Sequence, residues 1–359
     1  AYSRDHINET KLLDREIRRN NPRLIRGGRL FLGDGTVLEN ASVLTKAGVI
    51  AEIYTSNPPD PESLGADLVE AAGKTVLPGF IDLHVHLDSP GGLLPKPADY
   101  DAEKTIERAL EQHLFSGVTA VRPAVMNTAI LSSALTFNRG LKLGAQILLG
   151  DPSTLNTQIP GPASIGEAYA RTLAALAPNT TNPRIPALAL AEALTLLREN
   201  KSALLSRGFA EQVSAEGVLN ATRAALLKPP PYLAAYSKIP ADPAAARQAL
   251  QSALAAGDLA AIGTASGAFT LLHGPTLHRE LQLWVAAGVP PKRALQAATG
   301  DAARAANAAN RMGYIRKGFE ASLVVVDGNP LEDIASTERI STVIVRGERI
   351  DRQGLFEQK

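Results

Sequence analysis

One stretch constrains the fold of this chain more than any other: Val76-Leu77-Pro78-Gly79-Phe80-Ile81-Asp82-Leu83-His84-Val85-His86. An apolar run with β-branched residues predicts a buried strand, and this one ends in two histidines spaced i, i+2. Side chains alternate along a strand, so both imidazoles are expected on one side at its C-terminal end. Two neutral imidazoles held in that way supply half of a metal site. Taken alone, a His-x-His pair reads equally well as core or surface histidines, so the surrounding phrase has to decide.

The two ends of the chain are strand-like and the middle is helical. Leu24–Leu32, Ala41–Lys46 and Val49–Tyr54 read as short strands separated by Gly, Asn and Asp turns, and Ala321–Gly328 and Ser341–Gly347 read the same way. Strands at both termini around one central unit predict a small β-domain built from both ends. Between them, a helix over Glu103–Phe115 is followed by strand candidates Gly117–Arg122 and Ala145–Gly150, which implies βα units and parallel pairing. Pro160–Pro243 is rich in Ala, Leu and Pro with a helical pattern. Leu259–Thr264 then reads as a strand, with helices over Thr276–Ala287 and Pro290–Ala309.

Pro78–His86 resembles the strand-1 signature of the amidohydrolase superfamily, the metal-dependent barrel hydrolases that include imidazolonepropionases, dihydroorotases and barrel-type prolidases. Gly313–Leu323, continuing to Asp327-Gly328-Asn329-Pro330-Leu331, resembles its C-terminal signature, and Leu277–Leu295 with Ala297–Arg304 resembles its last barrel segment. The resemblance implies an α/β fold: a (β/α) TIM-type barrel, here abridged, with a composite β-sandwich domain from both chain ends. The expected boundaries are an N-terminal tail over 1–23, the composite domain over 24–78 and 310–359, and the barrel over 79–309. Only four barrel strands can be placed, and the centre is short for strands four to seven.

The resemblance also implies a chemistry: a metal-bound water attacks a carbonyl or equivalent carbon while a carboxylate takes its proton. The implied cofactor is a divalent metal, zinc above all, as one or two ions, and the implied metal ligands are His84 and His86. The strand-8 phrase departs from the family's Gly-Thr-Asp-Ala/Ser-Gly, reading Gly263-Thr264-Ala265-Ser266-Gly267, so Ala265 stands where the metal-binding base is expected. The catalytic residue is therefore unknown. Of the six histidines, none falls between Leu114 and Leu272, where two further ligands belong. His273 is the substrate-binding candidate. His278 reads as a structural residue and His113 as a surface or packing one, and neither Lys201 nor Lys228 lies in a strand that would present a carboxylated lysine. Asp88 and Asp99 are either loop carboxylates lining the site or solvated loop residues.

Other motifs lead nowhere. Gly73-Lys74-Thr75 imitates a P-loop end, but Leu68 occupies its first Gly position and a strand follows where a helix is needed. Gly263–Gly267 is not a nucleophile elbow. With 37 basic against 36 acidic residues and 4% aromatics, no nucleic-acid partner is expected. No apolar run approaches the roughly 20 residues of a membrane span. The absence of cysteine excludes thiolate sites and fits a reducing or an oxidising compartment. The polar 1–23 segment fits a mature end left by signal cleavage as well as any other start, so cytoplasmic and secreted or periplasmic locations both stay open. The expected partner is a small-molecule substrate, with a homo-oligomer also open. Two functions compete. One is a hydrolase of carbon–nitrogen bonds other than peptide bonds, in a cyclic amide or dipeptide-like substrate, with an incomplete metal site. The other is an inactive relative that keeps the fold as a binding or structural protein.

Overall fold

The computed structural model describes residues 4–93, 102–150, 187–205, 208–214, 216–229, 242–257 and 261–357. Asp99, Leu259-Ala260 and parts of the Ala/Leu/Pro-rich stretch lie outside them.

Strands β1 (Arg23–Phe31), β2 (Val37–Lys46), β3 (Val49–Tyr54), β4 (Asp67–Glu70), β5 (Lys74–Pro78), β9 (Leu323–Asp327), β10 (Ile340–Val345) and β11 (Glu348–Arg349) form one sheet. Its order is β11-β10-β9-β5-β1-β2-β3, with β4 also paired to β1. The two ends of the chain meet where β5 and β9 pair antiparallel, from Lys74 opposite Asp327 to Pro78 opposite Leu323. One face of this sheet buries Ile25, Leu30, Val43, Val76, Val325 and Ile344 in a single apolar cluster. Their inward alternation is what holds the register.

The second sheet carries the parallel strands β6 (Phe80–Val85), β7 (Val118–Pro123) and β8 (Gln146–Ile147), in that order. The continuous strand expected over Val76–His86 is thus two strands in two sheets, divided at Gly79. The reason is a close crossing: a Cβ at Gly79 would lie 2.1 Å from Thr119 Oγ1, and only glycine lets the chain pass. On the far side of β6, the segment 261–266 runs parallel to it, with a left-handed step at Ala265. Leu83 N–H donates to Ile262 O at 3.0 Å, Ala265 N–H to His84 O at 2.8 Å and His86 N–H to Ser266 O at 2.7 Å. The result is a curled part-barrel in the order 261–266, β6, β7, β8, which stand as barrel strands 8, 1, 2 and 3 respectively.

The barrel does not close among the described residues. At its β8 end, Ile147 directs both backbone groups away from β7, because Leu148 N–H is the one that bonds Val121 O. Asn138, the last residue of the Thr128–Asn138 helix, meets both of those groups. Its Oδ1 accepts from Ile147 N–H at 2.9 Å and its Nδ2 donates to Ile147 O at 2.8 Å. A side-chain amide thus occupies the hydrogen-bonding position of the next strand.

The polar N-terminal segment carries a helix over Arg4–Asn20. It docks through charge, with Arg15, Arg18 and Arg19 at 3.7, 3.7 and 4.0 Å from the buried Glu348 carboxylate. One further expectation is corrected. The helix expected over Pro290–Ala309 is two, Pro291–Ala297 and Gly300–Ala305. They break at Thr299, whose hydroxyl donates to Leu295 O, because Gly300 must pass close to Gly33 O and the Tyr314 ring.

Candidate active site

β6 delivers His84 and, one step past its end, His86. Both are buried, with rings 5.2 Å apart between centroids and inclined at 74°. Burial holds both imidazoles neutral. His84 is lowered to about 3 by desolvation, then by His86 and Arg122, and His86 is lowered by desolvation against an opposing pull from Asp88. Neutral imidazoles are the metal-binding form. His84 Nε2 is buried without a hydrogen-bond partner among the described residues, as an imidazole kept for a ligand would be.

The strand-8 segment brings Ala265 against the same point, since its N–H bonds the carbonyl of His84 itself. Ala265 is fully buried and sits at φ 58°, a left-handed conformation that alanine tolerates poorly and Asp or Asn better. Its methyl group can neither coordinate nor take a proton. Asp88 is exposed. Among the described residues no three His, Asp or Glu side chains converge as a metal site. A catalytic zinc takes three protein ligands and a water. These residues therefore fit half of a metal site and do not fit a complete one.

Sequence reading missed Asp82. It is fully buried, and its carboxylate accepts from His84 N–H at 3.2 Å, Thr264 N–H at 3.1 Å and Thr264 Oγ1 at 2.6 Å. Thr264 Oγ1 in turn accepts from Ser266 N–H at 3.0 Å. This clasp fixes strand 8 on strand 1 and shapes the turn at Ala265. Desolvation pushes Asp82 up to about 7 in spite of those three donors. The available signal was its place two residues before His84, on the same side of an apolar strand.

His273 is fully buried, and both its ring nitrogens are engaged within the protein. Nε2 lies 2.7 Å from Ser89 O and Nδ1 lies 3.2 Å from His113 Nε2. His113 is buried, not on the surface, in the apolar stripe of the Ala102–Phe115 helix with Ile106, Leu110 and Leu114. His278 bonds Ser116 O through Nε2 at 2.9 Å. Lys201 is exposed and pairs with Glu199 at 2.8 Å, and Lys228 is exposed as well.

Comparison with known proteins agrees with this architecture. The amidohydrolase family profile matches residues 241–350. Dihydroorotase from Halalkalibacterium halodurans is 38% identical over 105 residues, 29% of this chain and 21% of that protein. Dihydroorotase from Desulforapulum autotrophicum is 33% identical over 96 residues, 27% of this chain and 20% of that protein. The matched stretch thus spans about a fifth of the length of these curated relatives. Among solved structures, phenylurea hydrolase B superposes with a TM-score of 0.64 at 17% identity, over 94% of this chain and 99% of that one. A Xaa-Pro dipeptidase with methionine in its active site gives 0.59 at 19% identity, over 92% and 100%. At these identities the superpositions speak to the fold alone.

Proposed function

This chain belongs to the amidohydrolase superfamily, and on that premise we propose that it is a hydrolase of non-peptide carbon–nitrogen bonds in small cyclic-amide or dipeptide-like molecules, working from an incomplete metal site. The observation that carries the reading is the buried, neutral His84–His86 pair at the end of β6, with His84 Nε2 unpartnered among the described residues and Ala265 hydrogen-bonded beside it. His84 and His86 are the metal ligands in this reading, and zinc is the ion their nitrogens suit. When bound, such an ion polarises a carbonyl and activates water. The chain's own contribution is the placement. Asp82 and Thr264 register strand 8 on strand 1, and burial keeps both imidazoles unprotonated. The reading extends to the domains. Residues 24–78 and 310–359 make the composite β-domain, supported by the β5–β9 ladder, and 79–309 make an abridged barrel.

A second reading is favoured by Ala265 itself: a relative that keeps the fold and has lost catalysis. Removing a catalytic base costs about 10²–10⁴ in rate even where the metal stays. Metal content after zinc loading and dialysis, together with turnover of a panel of cyclic amides and dipeptides, separates these readings. Substoichiometric zinc with slow, zinc-dependent turnover supports the incomplete hydrolase. Turnover indistinguishable from buffer at every zinc concentration supports the inactive relative. About one or two retained equivalents with brisk turnover contradict both and point to a full site completed by other side chains.

A further inference from the structure

His273 is the most heavily engaged side chain near the site that the proposed chemistry leaves unused. It is fully buried, and burial lowers its pKa to about 4, so it is neutral. Ser89 O can only accept, so the proton of His273 sits on Nε2 and that N–H donates to the carbonyl at 2.7 Å. Nδ1 is then the acceptor, and His113, itself neutral through burial, donates its Nε2–H to it at 3.2 Å. Ser266 Oγ, at 3.4 Å from the same His113 nitrogen, borders this chain of bonds. Each imidazole has a single assigned tautomer, and the chain links three segments that are distant in sequence.

Two of those segments border His86. Ser89 closes a turn through its N–H to His86 O at 3.1 Å, with Asp88 between them. Gly92 N–H, further along the same loop, bonds Phe269 O at 2.6 Å. Gly267 passes so close that a Cβ there would lie 2.3 Å from His86 O and 2.8 Å from His273 Cε1. With both ring nitrogens committed, His273 cannot ligate a metal or reach substrate unless it gives up a bond to Ser89 or to His113.

We propose that His273 is a positioning residue: relayed from His113, it clamps the carbonyl of Ser89 and so holds the 86–92 loop, and Asp88 with it, beside His86. The proposal rests on the reading of His84 and His86 as the site, but its test does not. Backbone hydrogen exchange at His86 and Gly92 reports the clamp without metal or substrate. His273→Phe removes both bonds and is expected to speed exchange at these two amides by about tenfold, the size of one lost net hydrogen bond. His273→Gln offers an amide N–H toward Ser89 O and an oxygen toward His113, and is expected to restore protection. ¹⁵N-histidine spectra of the unmodified protein should show His273 and His113 both neutral and both protonated at Nε2. Unchanged protection in His273→Phe, a failed rescue by a folded His273→Gln, or an Nδ1–H tautomer at His273 overturns the clamp. A protein that binds no zinc yet shows this exchange pattern loses the hydrolase reading and keeps the clamp.

Discussion

The eight-stranded sheet and the part-barrel differ in how completely each is built. In the first, strands from both ends of the chain share one ladder, and one face buries a single aliphatic cluster. In the second, three short parallel strands and one extended segment end at a side-chain plug, and the buried space holds His84, His86, His113, His273 and Asp82 beside aliphatic residues. Burying polar groups is costly unless they are bonded, and here most are. A scaffold kept by apolar packing tolerates change, whereas a metal site of the kind proposed above needs specific atoms at specific places. The family match over residues 241–350 covers scaffold, the Ala265 turn included, and does not reach His84 or His86.

The comparison breaks most easily at its seam. Gly79→Ala should destabilise the protein by about 3 kcal/mol through overpacking against Thr119, since β5 and β6 cannot both keep their sheets. Denaturant unfolding measures it, and a loss below about 0.5 kcal/mol would show the seam to be slack.

Acid should strike the part-barrel first. His84, His113 and His273 have folded pKa values depressed by burial, to about 3 for His84 and about 4 for His273. The unfolded chain therefore binds more protons below the ordinary histidine value of about 6.5, and stability present above that pH is lost as pH falls toward 4. Asp82 acts oppositely, as does Glu280, buried on the Pro275–Ala286 helix where its carboxylate accepts from Leu188 and Ala189 N–H. Burial raises them to about 7 and about 8, so their contribution is fully present below about 4 and lost as pH rises through those values. Histidines dominate between about 4 and 6.5 and carboxylates above, so stability should peak near pH 6 to 7. A denaturation midpoint still climbing as pH drops from 6.5 to 5 would contradict neutral buried histidines.

Much of the scaffold was legible because period-two alternation and Gly, Asn and Asp turns are local signals. β1, β3, β9 and β10 fall within a few residues of their expected places. What could not be read depends on contacts distant in sequence. The split at Gly79 is set by Thr119, the docking of Arg4–Asn20 by Glu348, and the burial of His113 by His273. The site was half legible: the spacing of His84 and His86 announced the pair, while Asp82 needed Thr264 across the sheet to become visible as a clasp.

Smaller effects sharpen the contrast. Asn138→Ala should cost about 1–2 kcal/mol by leaving two backbone groups of Ile147 unpaired, and should raise concentration-dependent association through the freed edge. Light scattering would detect the association, and an unchanged monomer fraction argues against the plug. Ala265→Gly should stabilise by about 1 kcal/mol, because it relieves the left-handed strain at φ 58°. A destabilised Ala265→Gly would mean that the methyl packs better than the backbone suffers.

On the reading proposed above, Ala265 removes the one ligand-and-base position that the 261–266 segment sets directly beside His84. Zinc affinity of the unmodified protein and of Ala265→Asp, measured side by side by titration against a competing chelator, tests it most directly. The account predicts weak, substoichiometric binding in the first, and in the second a tightening of at least about tenfold toward one equivalent, because a third ligand completes the protein's share of the site. Equal affinity in the two proteins, whether tight or negligible, would contradict it.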